Sequence, residues 1–254
     1  MRALGRAVLG LLGWTGAVAL LAGRCGARLG GLNGAELVRS LVSFGARSLG
    51  LAAGAGALIG ATVVLQAGVY ANQFGARLYT GWAAGYALLW EFGPLLLGLL
   101  MAARIGARNA AELALLTIHG QLEGLRGISL DPYRLLIAPR VVAGVLSVLA
   151  LSQATFLVAV GFEALAALAM LGLPLRVFLG AFAEMLHLGD VIAGLTKSLA
   201  FGLAIALVST VAGLRVEGGA RGVGRAAASA VLVSCATIFG LDFLLTPLLA
   251  KVLS

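Results

Sequence analysis

Charge is what this sequence has least of. Only 11% of its 254 residues are Asp, Glu, Lys or Arg, where a water-soluble domain carries about a quarter. A chain so poor in charge cannot clothe a globule in solvated side chains, which excludes a soluble fold. With 61% hydrophobic residues and a mean hydropathy of +1.06, it reads as an integral membrane protein. Cysteine and histidine are scarce as well, two of each. Cys25 and Cys235 stand in no CxxC or CxxH spacing, so no metal site or disulfide framework is expected, and both read as apolar core thiols. His119 and His187 lie far apart, and no HExxH or Ser/His/Asp pattern occurs. The stretch "GDVIAGLTKS", residues 189–198, spaces its glycines like a phosphate-binding loop, but Lys197 is displaced from the second glycine and the segment is apolar. "GGARGVG", residues 218–224, is not GxGxxG. The chain is therefore not expected to be an enzyme or to hold a cofactor. If ATP drives it, ATP and Mg belong to a separate subunit.

What is abundant are long apolar runs. Leu49–Ala76 and Val141–Phe162 carry no charge; Leu78–Ala103 has only Glu91, Val191–Leu214 only Lys197, and Ala226–Ala250 only Asp242. Each is long enough to span a bilayer as a helix. Ala164–Leu186, interrupted by Pro174, Arg176 and Glu184, reads as the end of the third span plus a short outer helix. The predicted fold is an all-α membrane protein of five spans in one permease-like domain, residues 49–254, preceded by N-terminal helices over residues 1–48.

The net charge of +8 could suggest nucleic acid in a soluble protein, but here the basic residues flank apolar segments, so topology explains them better. With the N-terminus in the cytoplasm, the inner regions 1–48, 104–140 and 215–225 hold six, five and three Lys/Arg, against three in the outer regions. The bias predicts N-terminus in and C-terminus out. The opening run Ala7–Gly23 would reach about 26 Å as a helix, short of a ~30 Å core. Arg2 and Arg6 precede it, and Arg24, Arg28, Arg39 and Arg47 follow. An interfacial helix on the cytoplasmic side is preferred over a span, and over a cleaved signal, which lacks a clean A-x-A site.

The charge withheld elsewhere gathers in "EGLRGISLDPYRLLIAPR", residues 123–140. On one helix over Asn109–Gly127, with the coupling element extending to about residue 130, Glu112, His119, Glu123 and Arg126 share a narrow polar stripe. Leu115, Ile118, Leu122 and Leu125 form an apolar flank. Pro132 disfavours helix at Asp131, and Arg140 marks the inner boundary of the third span. Such a helix suits contact with a soluble motor; a solvated surface helix is the blander alternative.

An ionisable residue inside a span is a functional hypothesis by default. Counted along their helices at about 1.5 Å per residue, Glu91, Lys197 and Asp242 all fall roughly 9–14 Å below the outer surface. Similar depth and opposite signs predict a mutual cluster, which Glu163 would be placed to join. A packing salt bridge and a polar collar beside a ligand cavity are both open readings. Gln66, Tyr70, Gln73 and Phe74, toward the outer end of the first span, suit either a cavity lining or an interfacial belt. Gly50-xxx-Gly54 and Gly56-xxx-Gly60 would permit close helix packing.

Residues 91–140, "EFGPLLLGLLMAARIGARNAAELALLTIHGQLEGLRGISLDPYRLLIAPR", closely resemble the signature region of the MlaE (YrbE) permeases. That family reads E-x-GP, GR-x-GAA, AELG-x-M, a TEQ-like triplet and DP…PR. "RVEGGARGVGRAAASAV", residues 215–231, and "LDFLLT", residues 241–246, resemble its later motifs. Here Ala103-Arg104 replaces the usual Gly-Arg, Arg108 and Asn109 stand where small residues are usual, and only Gln121 of the triplet remains. The resemblance implies the membrane subunit of an ABC transporter in a bacterial inner membrane. It would move phospholipid between that membrane and periplasmic MCE-domain carriers, maintaining outer-membrane lipid asymmetry. It implies a homodimer, an ATPase subunit, an MCE-protein ring and a small STAS-type regulator, with no nucleic acid. It places ATPase coupling on the stretch containing Arg104, Glu112, His119, Gln121, Glu123, Asp131 and Arg140. The lipid cavity would fall by Gln66, Tyr70 and Phe74, with the cluster of Glu91, Lys197 and Asp242. A secondary transporter using the cluster as a proton relay, a non-transporting scaffold, and a chloroplast lipid importer subunit are the rival expectations.

Overall fold

The computed structural model describes the backbone of residues 2–253 and the side chains of residues 13–253. The flanking Arg2 and Arg6, and the first six residues (7–12) of the run on which the interfacial-helix expectation rests, lie outside the described side chains. Among the described residues every regular element is helical. These are α1 (Arg2–Gly26), α2 (Gly34–Phe44), α3 (Leu49–Gln73), α4 (Thr80–Ala87), α5 (Gly93–Met101) and α6 (Ala107–Ile118). They are followed by α7 (Gln121–Gly127), α8 (Ala138–Leu171), α9 (Leu175–Met185), α10 (Leu188–Leu214) and α11 (Gly219–Leu253).

Five helical stretches are long and apolar enough to cross a membrane: Gly34–Gln73, Arg77–Ile118, Tyr133–Leu171, Leu188–Leu214 and Gly219–Leu253. They match the five expected runs and each begins earlier than expected, because preceding turns continue into the helices; the first ends at Gln73, short of the expected Ala76, and the fourth ends at Leu214 as expected. The second stretch stays helical through π turns at Leu88–Phe92 and Ala102–Gly106. After α8, Gly172 takes a left-handed φ of 59°, and Pro174 precedes α9, the short helix expected there.

The single helix expected over Asn109–Gly127 is not formed. It breaks at His119–Gly120, where Gly120 adopts φ 66° and its N–H bonds the Thr117 carbonyl. That left-handed step is a glycine C-terminal cap, and it divides the segment into α6 and α7. The common stripe of Glu112 with His119, Glu123 and Arg126 is lost with it.

The chain folds as two compact units. The first comprises Met1–Phe44, Met101–Val145 and Leu203–Ala236. In it, Leu21 and Cys25 of α1 are buried against Ile137, Ala138 and Val141 near the start of α8 and Ala206, Leu207 and Val211 of α10. Polar contacts hold the turn after α1 in place: Arg24 Nη1 donates to the Tyr133 hydroxyl at 3.0 Å, Arg28 pairs with Asp131, and Arg134 Nε donates to the Gly31 carbonyl at 2.7 Å.

The second unit comprises Gly45–Leu100, Leu146–Gly202 and Thr237–Ser254. Here α3 and α8 touch along Gly56 against Thr155 and Gly60 against Ala159, numbers rising together, so the two helices run in the same direction. A methyl on Gly60 would sit 2.2 Å from the Ala159 carbonyl oxygen, whereas Gly50 and Gly54 face open space. Of the two small-residue motifs, only the second therefore mediates this close approach. Gly60→Val is expected to lower thermal stability by at least the ~1–3 kcal/mol of core overpacking, with Gly54→Val near neutral; melting both variants in detergent checks this.

Candidate functional site

In the second unit the three intramembrane charges meet. Lys197 of α10 is fully buried, and its Nζ lies 3.0 Å from Glu91 Oε2 and 2.9 Å from Asp242 Oδ1. The same ammonium donates to the Trp90 carbonyl at 2.6 Å and to Thr246 Oγ1 at 2.7 Å. Three N–H groups thus face four oxygens. Thr246, one turn beyond Asp242 on α11, also lies 3.0 Å from Glu91 Oε1 and 2.8 Å from the Asp242 carbonyl, and so ties the acids together.

The availability of the Trp90 carbonyl follows from local sequence. Pro94 has no N–H to offer the carbonyl four residues before it, and its ring crowds that oxygen. The backbone responds with the π turn Leu88–Phe92, in which Gly93 N–H bonds the Leu88 carbonyl instead. A backbone oxygen inside a span is thereby left for the lysine. Behind it, Trp90 Nε1 donates to Asp190 Oδ1 at 2.7 Å, and Asp190 Oδ2 accepts from the His187 N–H at 2.8 Å as α10 begins.

Exposure is graded across the cluster: the side chain of Lys197 is 0% exposed, Asp242 15% and Glu91 37%. Ionised, the three groups carry a net charge of −1, and Glu91 presents the most accessible edge. Glu163 does not join them. It is fully buried on α8 and neither carboxyl oxygen has a hydrogen-bond partner among the described residues; similar depth alone did not bring it to the lysine.

Gln66, Tyr70 and Phe74 line one cavity of about 390 Å³ with Tyr79, Trp82 and Phe92. The lining is largely apolar and aromatic, the kind of wall that receives acyl chains. Phe92 follows Glu91 in sequence, but Glu91, Lys197 and Asp242 are not among the residues lining the cavity. The predicted lipid-site residues therefore fall in two places within this unit: an aromatic cavity and an ionic cluster. Gln73 is not among the residues lining the cavity.

In the first unit the predicted coupling residues also separate. Arg140, 9% exposed, donates through Nε to Glu36 Oε1 at 2.8 Å and through Nη1 to Glu112 Oε2 at 3.0 Å, while Arg108 Nε reaches Glu112 Oε1 at 2.8 Å. Glu112 and Arg140 thus brace α2, α6 and α8 rather than forming a free docking face. Asn109, 2% exposed, donates to Ser209 Oγ at 2.9 Å and Thr210 Oγ1 at 3.1 Å. Of the two unusual residues, Asn109 therefore serves internal packing, while Arg108 is partly exposed and pairs with Glu112 along α6. His119, Gln121 and Glu123 remain exposed, beside Leu115, Ile118 and Ile128, and Arg104 is also exposed.

Asp131 is held by the hydrogen bond from Arg28, which keeps its carboxyl below the ordinary carboxylate range. A depressed folded pKa stabilises at all pH above the unfolded value and loses that contribution as pH falls through the folded one. Exchange protection at residues 131–135, corrected for intrinsic rates, should stay flat in neutral and mildly acidic buffer and fall only below about pH 4.

With the geometry in place, comparison with known proteins settles the family. A family model described as Permease MlaE matches residues 37–248. The chain belongs to the MlaE permease family. A Rickettsia typhi relative of the family, described as a probable ABC transporter permease protein, is 34% identical over 216 residues, covering 85% of this chain and 83% of its own. The intermembrane phospholipid transport system permease protein MlaE of Haemophilus influenzae is 29% identical over 214 residues, 84% of this chain and 82% of its own. The chloroplast protein trigalactosyldiacylglycerol 1 of Arabidopsis thaliana is 29% identical over 236 residues, 92% of this chain and 67% of its own. As an MlaE-type ABC permease, the chain is a multi-pass, non-catalytic membrane subunit that works with an ATPase subunit.

Sequence reasoning missed Trp90, Thr246, Asp190 and Glu36. Pro94, four residues after Trp90, was the readable signal for the first, and the Asp242/Thr246 spacing of one helical turn for the second.

Proposed function

We propose that this chain is the permease subunit of an ABC transporter that moves phospholipid between a bacterial inner membrane and periplasmic carriers of the MCE type. It works as a homodimer, with its N-terminus cytoplasmic, its C-terminus periplasmic and α1 in the inner interface. The observation that carries the reading is a lysine fully buried in one span and held by acids from two others, in the same unit as an aromatic-walled cavity. The name of the Haemophilus influenzae relative, a phospholipid transport permease, supports the same cargo.

In this reading acyl chains enter the cavity of Gln66, Tyr70 and Phe74, and Glu91 meets the polar headgroup while Lys197 and Asp242 hold it in position. The exposed surface of α6–α7, with Leu115, Ile118, His119, Gln121, Glu123 and Ile128, receives the ATPase. ATP binding shifts the permease between states only if the ATPase contacts that surface unequally in each. The test is reconstitution of the chain with its ATPase and an MCE acceptor, following fluorescent phospholipid to the acceptor. Transfer that needs ATP supports the proposal; transfer by the chain alone under a pH gradient would favour ion coupling instead.

A further inference from the structure

The first unit contains a basic cavity that the transport reading does not use. It has a volume of about 710 Å³ and lies between α1, the end of α10 and the start of α11. Small-molecule sites occupy about 300–1,000 Å³. Its lining combines the apolar Trp14, Leu214 and Ala226 with Ser229 and two exposed arginines, Arg215 and Arg225. Among the described residues no side chain pairs with Arg215, and Arg225 donates only to the Glu217 backbone carbonyl, at 3.2 Å. The Glu217 carboxylate also lines the cavity but is exposed and pairs with neither arginine. A second cavity, of about 390 Å³, shares Leu214 and Arg215 and runs along Ala17, Leu20 and Arg24 of α1. The two cavities thus share the Arg215 guanidinium in their linings, and Arg225 lines the larger.

We propose that this cavity binds the headgroup of an anionic phospholipid from the adjoining leaflet. The phosphate sits between Arg215 and Arg225, with acyl chains against Trp14, Leu214 and Leu20. Guanidinium forks match phosphate oxygens, and basic pockets between membrane helices recognise anionic headgroups. A lipid supplies both the charge and the apolar chains that the two linked cavities accommodate. The site does not rest on the transport reading: a lipid held here anchors α1 whether or not the chain moves lipid elsewhere.

The test uses the full chain purified from mixed phosphatidylglycerol and phosphatidylcholine, with retained lipid counted by native mass spectrometry. Wild type should keep phosphatidylglycerol preferentially, and Arg215→Gln/Arg225→Gln should lower that preference about 30-fold, taking the effect of two basic residues at a membrane surface. Arg221→Gln is the control: Arg221 is exposed on the same turn but does not line the cavity, so it should leave retention unchanged. An equal loss with Arg221→Gln would mean diffuse attraction and overturn the proposal. Full displacement by inorganic phosphate would reassign the site to a free anion, and unchanged retention in the double variant would also overturn it. Circular dichroism of each variant confirms folding, so a loss of lipid is read as a loss of the site.

Discussion

Lys197→Ala will abolish the ATP-driven lipid delivery proposed for this chain and lower stability by about 3–5 kcal/mol, the cost of stripping one partner from a buried ion pair. Removing the ammonium leaves Glu91 and Asp242 facing each other with the Trp90 carbonyl unpaired. Because Glu91 is 37% exposed, water will relieve part of the repulsion, so the loss should fall toward the lower end. Unfolding in mixed micelles measures the first effect and transfer from reconstituted vesicles the second. The informative companion is Lys197→Ala with Glu91→Gln and Asp242→Asn. Neutralising the whole cluster should restore most of the stability, since a buried ion pair is often no better than a neutral replacement. If transfer also returned to normal, the cluster would be a packing device, and its place beside the cargo would have to be given up.

Arg140→Ala will have a comparable effect on the first unit. Its guanidinium is shared by Glu36 and Glu112, and both acids would lose it at once. A loss of about 3–5 kcal/mol is expected, with Glu112 cushioned by Arg108 and by its 35% exposure. Hydrogen exchange should report it first, as faster exchange in α2 and α6. Arg140→Lys will recover only part, because one ammonium cannot present the two arms that reach the two acids.

The five spans were legible because a run of two dozen apolar residues has few other fates, and the meeting of Glu91, Lys197 and Asp242 was legible because charge in a span needs a partner. The break at Gly120 was not legible from periodicity, which counts residue types and does not see a left-handed φ. Glu36 escaped because its partner lies 104 residues away and nothing local distinguishes it from an ordinary acid in a first helical turn. The same limit applies to Arg108 and Asn109. They stand out against the family pattern in the segment expected to meet the ATPase, yet only their neighbours reveal that Asn109 is buried against α10 and that Arg108 pairs with Glu112. Glu163 misled in the other direction: depth along a helix says nothing about which face a side chain occupies.

The arrangement around Lys197 also has a history within each molecule's synthesis. Spans leave the ribosome in order, so the acid of the second is in place before the lysine of the fourth arrives, while the acid and threonine of the fifth are still to come. A nascent chain that stops before α11 offers the ammonium only Glu91 and the Trp90 carbonyl, two of its four oxygen partners, and the last helix supplies Asp242 and Thr246 together. Completion of the ionic knot thus waits for the last span, and a chain lacking its final helix is expected to hold Lys197 less firmly than the full chain does.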